Sequence, residues 1–121
     1  VYYVQMAHAR VASVLSNWGG EPAELAGADL GLLSGERELS LCAALAAFPE
    51  AVEAAAKDYA PHHIAFYLKD LAAELHSYYN AERILVDEPA VKLARLALVA
   101  AVRQVLASGL ALLGVSAPEQ M

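Results

Sequence analysis

The side chains that could do chemistry in this sequence fall into two groups, and the first is a set of histidines. His62 and His63 are adjacent, so they cannot face one ligand from a regular helix, and His76 is too far along the chain to join them by spacing. The sequence also has no Gly-rich phosphate loop and no nucleophile arranged with a base. We therefore expect no metal site, no catalytic residue and no cofactor in this chain. A small enzyme or ligand-binding bundle that uses the three histidines stays open as an alternative.

The second group lies on one face of the first predicted helix. At about 100° per residue, Tyr3, Met6 and Arg10 fall opposite the core face, where solvent is expected. An exposed aromatic ring, a thioether and a guanidinium can bind flat ring systems. Nucleobases are such partners, because every nucleobase has a π-face to stack on. Two alternatives stay open: another part of the chain covers Tyr3 and Met6, or the surface belongs to a helical protein–protein interaction module without RNA binding.

Helices must position these groups. Hydrophobic residues make up 59% of the chain, many of them alanine, and no stretch alternates with period two for long enough to indicate a strand. We predict an all-α fold, a bundle of about five helices with a long buried C-terminal helix. The predicted helices are 2–17, 36–48, 49–57, one that follows Pro61, and a long one from Pro89 to Gly114. The second has two apolar rows, one formed by Leu39, Ala43 and Ala46 and the other by Leu41, Leu45 and Phe48. The fourth keeps one core face, formed by Ile64, Leu68, Leu71, Leu75 and Tyr78, and Phe66 points away from it. The connection 19–35 has room for one short helical turn.

The last helix is the centre of the predicted bundle. Its apolar residues form two adjoining stripes, which indicates burial over a wide arc. The stripes are Leu96, Val99, Val102, Leu106, Leu110 and Leu113, and beside them Leu98, Val102, Val105 and Leu112. Arg95, Arg103 and Gln104 lie inside the stretch, and charges at the centre of a spanning helix are costly, so we predict a soluble core helix and no membrane partner.

Charge and cysteine usage restrict the function further. The formal net charge is −6, which taken alone argues against nucleic acid, since phosphate binding normally leaves a basic footprint. Cys42 is the single cysteine, so an internal disulfide is excluded, and its apolar neighbours indicate a small core residue.

His8 lies on the predicted core face and is interpreted as a packing residue. The chain opens within a predicted helix and without an initiator Met, so we expect it to be the C-terminal piece of a longer protein.

Specific strings resemble one known domain over essentially the whole chain. They are Tyr-Val-Gln-Met-Ala-His-Ala-Arg at 3–10, His-Ser-Tyr-Tyr-Asn at 76–80, Gly-Leu-Ala-Leu-Leu-Gly-Val at 109–115 and Pro-Glu-Gln-Met at 118–121. Together they resemble the anticodon-binding domain of the arginyl-tRNA synthetases. Met6 departs from the family's commoner tyrosine, and Phe66 departs from its usual polar residue.

The resemblance implies that residues 1–121 form the anticodon-binding domain, a C-terminal fragment of a cytoplasmic class I synthetase. The full-length enzyme, an arginine–tRNA ligase, joins arginine to tRNA(Arg) with ATP and magnesium, which belong to its separate catalytic domain. This fragment would be non-catalytic and hold no cofactor of its own. Its partners would be the tRNA(Arg) anticodon loop and the catalytic domain of the same chain.

The resemblance also implies which residues bind the anticodon. By matched motif, the stacking aromatics fall on Tyr3 and Tyr79, the family's second tyrosine of the first helix falls on Met6, and Met121 is the contribution of the tail. Arg10 joins them from the face analysis. Weaker candidates for phosphate contact are Arg83, Arg95 and Arg103. Phosphate neutralisation supplies much of RNA affinity, so an acidic domain implies that other domains provide it. We expect the isolated domain to bind the anticodon stem-loop weakly.

Overall fold

The computed structural model describes residues 1–115 and residue 117, and these contain helices and no strand. The five α-helices are α1 (Tyr2–Trp18), α2 (Glu36–Ala46), α3 (Phe48–Lys57), α4 (His62–Ala81) and α5 (Pro89–Leu112). Two short 3-10 helices, Pro22–Gly27 and Leu30–Leu32, occupy the connection between α1 and α2. The prediction of an all-α bundle of about five helices is confirmed, and the connection holds two helical segments where one turn was expected.

Helix α5 is the element against which α1, α2, α4 and both 3-10 segments pack. Five members of its first predicted stripe are buried and Leu113 is partly buried, as a helix enclosed over a wide arc requires. The second stripe is confirmed only in its first half, because Leu98 is buried but Leu112 is exposed. The enclosed arc therefore narrows toward the C-terminal end of the helix.

Both ends of α5 have recognisable caps. The Glu88 carboxylate accepts hydrogen bonds from the N–H groups of Ala90 (3.2 Å) and Val91 (2.8 Å), and Pro89 occupies the first turn. At the other end Gly114 has φ +74°, and the Val115 N–H donates to the Leu110 carbonyl at 2.9 Å. A left-handed glycine with this bond is the Schellman arrangement that satisfies the last carbonyls of a helix. The start and stop predicted from Pro89 and Gly114 are confirmed.

Helix α4 packs against α1, α2, α3 and α5. Its predicted core face is confirmed, because every one of its members is buried: Ile64, Leu68, Leu71, Leu75 and Tyr78. Its approach to α5 depends on Gly109, where a Cβ atom would lie 2.5 Å from Leu68 Cδ2. The absence of a side chain at Gly109 lets the Leu68 side chain pack directly on the α5 backbone.

Helices α2 and α3 meet at a corner at Ala47, just before Pro49. Only one of the two apolar rows predicted for this segment packs inward, the row that contains Leu41. Leu39 remains 56% exposed and Cys42 is exposed too, so the prediction that Cys42 is a core residue is wrong. The reason is that α2 buries the side that bears Glu38 and Leu41, and Cys42 lies about 100° around the helix from Leu41.

A buried carboxylate joins α2 to the end of α4 and to α5. Glu38 Oε2 accepts hydrogen bonds from the Tyr78 hydroxyl at 2.7 Å and from Arg95 Nε at 3.0 Å, and its Oε1 accepts from the Gly35 N–H at 3.1 Å. Burial, then the neighbouring Glu38 carboxylate, raises the pKa of Tyr78 far above its usual range. We call Glu38, Tyr78 and Arg95 the Glu38 cluster. It fixes the last turn of α4, which contains Tyr79.

Two stretches, Glu36–Lys57 and Pro89–Leu112, have the length and apolar composition of a membrane span. The first is interrupted by the corner between α2 and α3. The second is α5, whose apolar stripe faces the other helices of the bundle. The same composition is typical of the central helix of a soluble bundle, and the packing of α5 favours that interpretation.

Candidate nucleic-acid interface

Helix α1 contributes the first half of the site. Its inward side is formed by small and β-branched residues that pack on α4 and α5, namely Val4, Ala7, Val11 and Val14. His8 is buried on the same side, so its predicted packing role is confirmed. Positions three and four apart share a helix face, and Tyr3, Met6 and Arg10 therefore project together from the outward side. Tyr3 is 42% exposed, whereas Met6 and Arg10 are partly buried.

Helix α4 contributes the second half through His76 and Tyr79. The His76 ring lies against the Tyr3 ring, with 4.7 Å between centroids and 50° between planes. Arg10 Nη1 donates a hydrogen bond to His76 Nδ1 at 3.0 Å. Arg10 Cζ also lies 4.8 Å from the centroid of the Tyr79 ring, within the range of a cation–π contact. Contacts thus join two tyrosines and a guanidinium from two helices into one group, which we call the Tyr3–Tyr79 surface.

The structure brings together three of the predicted anticodon-binding residues, Tyr3, Arg10 and Tyr79. Tyr79 is 39% exposed, so the rings of both tyrosines reach solvent. The part of the chain that the structure describes therefore leaves Tyr3 open to solvent, whereas it partly covers Met6. Met6 shares the face by its spacing, and Met121 lies outside the described residues.

Tyr3 also lines a cavity of about 320 Å³ on the side toward the N-terminal half of α4. Phe66 and Lys69 line the same cavity. Phe66 is exposed, in agreement with its predicted direction away from the core. The cavity leaves open space beside the Tyr3 ring.

His76 is the interior member of the group, with only 8% of its surface exposed. Burial, then the positive charge of Arg10, lowers the pKa of His76 below its ordinary value of 6.5, and a backbone interaction with Tyr3 acts weakly in the opposite direction. The imidazole is therefore neutral at physiological pH. In the neutral state Nδ1 can accept the hydrogen bond from Arg10.

The stability of the chain should fall as pH is lowered through the titration of His76. Its pKa is lower in the folded state than in the unfolded state, so the unfolded state binds more protons between the two values. Above pH 6.5 the contribution of neutral His76 to the free energy of unfolding is fully present. This contribution is lost as the pH falls toward the pKa of His76 in the folded state. Urea unfolding at pH 7.5 and 5.5 should show a larger loss for the wild type than for His76→Phe, which has no titratable group at this position. Equal losses would contradict this assignment.

The three arginines predicted as weaker phosphate contacts have different surroundings. Arg95 donates to Glu38, donates from Nη1 to the Arg83 carbonyl at 2.6 Å, and lies 3.8 Å from Glu82 Oε2. Because these contacts engage the guanidinium within the protein, we leave Arg95 out of the proposed RNA contacts. Arg83 is exposed, and Arg103 lines a groove of about 640 Å³ between α1 and α5. Phosphate contact by Arg83 and Arg103 stays a prediction.

The histidines do not form a metal site in the part of the chain that the structure describes. No group of three or more potential ligands is close enough to hold an ion there. The His62 and His63 rings are 4.6 Å apart, but His76 lies fourteen residues further along α4, about 21 Å at the rise of an α-helix. This geometry favours the Tyr3–Tyr79 surface over the histidine-based alternative.

His76 is the site residue that sequence reasoning missed. Its contact with Arg10 joins residues 66 positions apart, which no local periodicity reveals. One signal was present, since His76 and Tyr79 are three residues apart and must share a face of α4. That spacing places His76 beside Tyr79, so His76 could have been predicted to lie at the same site.

The comparison with known proteins agrees with this geometry. Residues 4–121 match the family described as the DALR anticodon binding domain. Over its whole length the chain is 75% identical to the arginine–tRNA ligase of Azoarcus sp. (strain BH72) and 72% identical to that of Aromatoleum aromaticum, and it covers 21% of each of these proteins. The chain thus spans about a fifth of the length of these curated relatives.

Solved structures show the same fold. The arginyl-tRNA synthetase of Thermus thermophilus superposes with a TM-score of 0.87 at 40% identity, over 98% of this chain and 21% of that one. A chain from Campylobacter jejuni superposes with a TM-score of 0.90 at 26% identity, over 99% of this chain and 26% of that one. The all-α bundle carries two exposed tyrosines joined through Arg10 and His76, and the family match covers nearly all of the sequence. This chain therefore belongs to the DALR anticodon-binding domain family.

Proposed function

We propose that this chain reads the anticodon of tRNA(Arg) for a full-length arginine–tRNA ligase. The observation that carries the proposal is the Tyr3–Tyr79 surface, because it exposes two aromatic rings that contacts with Arg10 and His76 hold in place. The family match and the names of the relatives support the choice of RNA over other flat partners. Anticodon bases are single-stranded and can splay out, which is the usual target of sequence-specific RNA recognition.

The physical basis is stacking on rings that are already in position. A base stacked on an aromatic side chain gains about 1–3 kcal/mol, with little dependence on which base it is. Tyr3 and Tyr79 would supply this affinity, with Met6 and Met121 adding adaptable apolar contact. The distinction between bases must then come from hydrogen bonds to base edges, for which backbone groups are candidates.

The charge of Arg10 supports an anionic or electron-rich partner. Arg10 donates to a neutral imidazole, and within residues 1–115 and 117 it forms no ion pair with a carboxylate. No carboxylate of the described residues therefore neutralises its positive charge, although the chain as a whole has a net charge of −6. A guanidinium in this state favours contact with phosphate oxygens.

The remainder of the function belongs to the longer protein. Residues 1–121 would be its C-terminal anticodon-binding domain, and the catalytic domain of the same chain would bind ATP and magnesium and charge the tRNA in the cytoplasm. The domain itself would have no catalytic residue and no cofactor. Most phosphate contacts would be made by other domains, which accounts for an acidic anticodon reader.

We expect Tyr79→Ala in the full-length protein to weaken tRNA(Arg) binding about tenfold, because it removes one stacking ring and the partner of Arg10. Tyr3→Ala should have a similar effect. Fluorescence anisotropy with labelled tRNA measures both. Aminoacylation with the middle anticodon base varied should show a loss of discrimination by the Tyr79→Ala protein.

The matched control is Tyr59→Ala, which removes a tyrosine that is 93% exposed at the turn between α3 and α4. It should leave tRNA binding unchanged. If Tyr3→Ala and Tyr79→Ala behave like the control, and the NMR signals of both tyrosines do not move on addition of tRNA, the proposal fails. The helical protein–protein interaction module would then be the better interpretation of this surface.

A further inference from the structure

His76 contacts the proposed RNA-binding residues without itself being available to RNA. Its ring braces Tyr3 at 4.7 Å between centroids, and its Nδ1 accepts the hydrogen bond from Arg10 at 3.0 Å. The same guanidinium lies 4.8 Å from the Tyr79 ring centroid. Because His76 Nε2 is fully enclosed, a base cannot touch it unless the helices move apart. Any influence of His76 on RNA must therefore pass through its neighbours.

The contact with Arg10 fixes the protonation state and tautomer of His76. A guanidinium has donors only, so Nδ1 must be an unprotonated acceptor and the proton must be on Nε2. Among the described residues no atom accepts a hydrogen bond from Nε2 at full hydrogen-bond geometry, although the Tyr3 backbone interacts with the ring. A buried donor without a partner is uncommon and needs a reason. Here the reason is that the opposite tautomer would remove the acceptor that Arg10 requires.

We propose that His76 is a positioning residue for RNA recognition, whose neutral Nε2–H tautomer holds Arg10 over Tyr79 and braces Tyr3 before RNA arrives. The inference rests on the proposed anticodon-reading function. Arginine is long and flexible, so ordering it only on binding would reduce affinity. With Nδ1 of His76 as an anchor, the guanidinium and the two rings form a single ordered surface in the free protein.

Two variants at this position separate positioning from simple packing. His76→Asn loses the ring but keeps an acceptor oxygen near the place of Nδ1, whereas His76→Phe keeps a ring against Tyr3 but has no acceptor. If positioning matters, His76→Phe in the full-length protein should bind tRNA(Arg) about tenfold more weakly, and His76→Asn should recover most of the wild-type affinity. Packing alone predicts the reverse order, because phenylalanine fills the site and asparagine leaves it partly empty.

A spectroscopic measurement tests the tautomer independently of RNA. The ¹⁵N chemical shifts of His76 in the ¹⁵N-labelled chain at pH 7.5 should show a protonated Nε2 and an unprotonated Nδ1. Thermal unfolding of each variant checks that binding is compared between folded proteins. A protonated Nδ1 would overturn the proposal whatever the binding data show.

The outcomes also distinguish this inference from the function on which it rests. If Tyr79→Ala weakens tRNA binding but His76→Phe binds like the wild type, positioning by His76 is wrong and the anticodon-reading function stands. If Tyr79→Ala behaves like Tyr59→Ala, both proposals fail together. Weak binding by His76→Phe with recovery in His76→Asn supports both.

Discussion

Replacing Glu38 with alanine is expected to lower the free energy of unfolding by about 3 kcal/mol. The carboxylate is 4% exposed and accepts hydrogen bonds from the Tyr78 hydroxyl and from Arg95 Nε. Its removal leaves a buried hydroxyl without its acceptor and a guanidinium without its main counter-ion. We place the effect at the lower end for a broken buried pair, because Glu82 and solvent still reach Arg95. Urea unfolding at pH 7.5 measures the change.

The control for this prediction is Glu36→Ala. Glu36 is an exposed carboxylate in the same first turn of α2, where its interaction with the helix dipole contributes less than about 1 kcal/mol. The variant removes the same charge from the same helix without touching the Glu38 cluster. If both variants unfold with equal free energies, the cluster does not stabilise the fold as we infer.

Replacing Gly109 with valine is expected to destabilise the fold by about 3 kcal/mol, at the upper end for overpacking of a core. A Cβ atom there would lie 2.5 Å from Leu68 Cδ2 and 2.8 Å from Leu68 Cδ1, well inside van der Waals contact. Leu68 is fully buried, so its side chain can yield only by shifting toward the cavity that it lines together with Tyr3. The gain in helix propensity over glycine, less than about 1 kcal/mol, is too small to compensate. Circular dichroism during urea unfolding gives the free energy.

Two further variants show whether the clash with Leu68 is the cause. Ala111→Val adds the same side chain on an exposed position of α5 and should change stability by less than about 0.5 kcal/mol. Combining Leu68→Ala with Gly109→Val should destabilise less than the sum of the two single changes, by about 2 kcal/mol. Simple additivity of the two single changes would show that the close approach at Gly109 does not set the distance between α4 and α5.

The sequence predicted the faces of α4 and α5 because large aliphatic residues recur there at helical spacing and polar residues separate them. It did not distinguish the two rows of α2, because both consist entirely of apolar residues. The choice between those rows depends on where the neighbouring helices lie, and that information is not local. Cys42 was placed in the core because its neighbours in the sequence are apolar, and it is exposed.

The candidate site was predictable in parts. Periodicity alone indicated Tyr3, Met6 and Arg10, and the resemblance to a family added Tyr79. The contact of Arg10 with His76 was not predictable, because it depends on how α1 packs against α4. The same limit applies to Arg95, whose charge in an apolar helix fits either a phosphate contact or an internal ion pair. Its partner Glu38 is 57 positions away, so only the fold distinguishes the two.

The neighbouring residues Tyr78 and Tyr79 have opposite environments, one enclosed and the other half-exposed. Each residue of a helix is rotated by about 100° from the one before it. Which of the two tyrosines is buried therefore depends on the number of helical residues between Leu68 and Tyr79. Deletion of a single codon in that interval would turn the Tyr79 hydroxyl toward Glu38 and bury the ring that the proposed function leaves open to a base. The number of residues in this segment is therefore constrained more tightly than the identity of its exposed side chains.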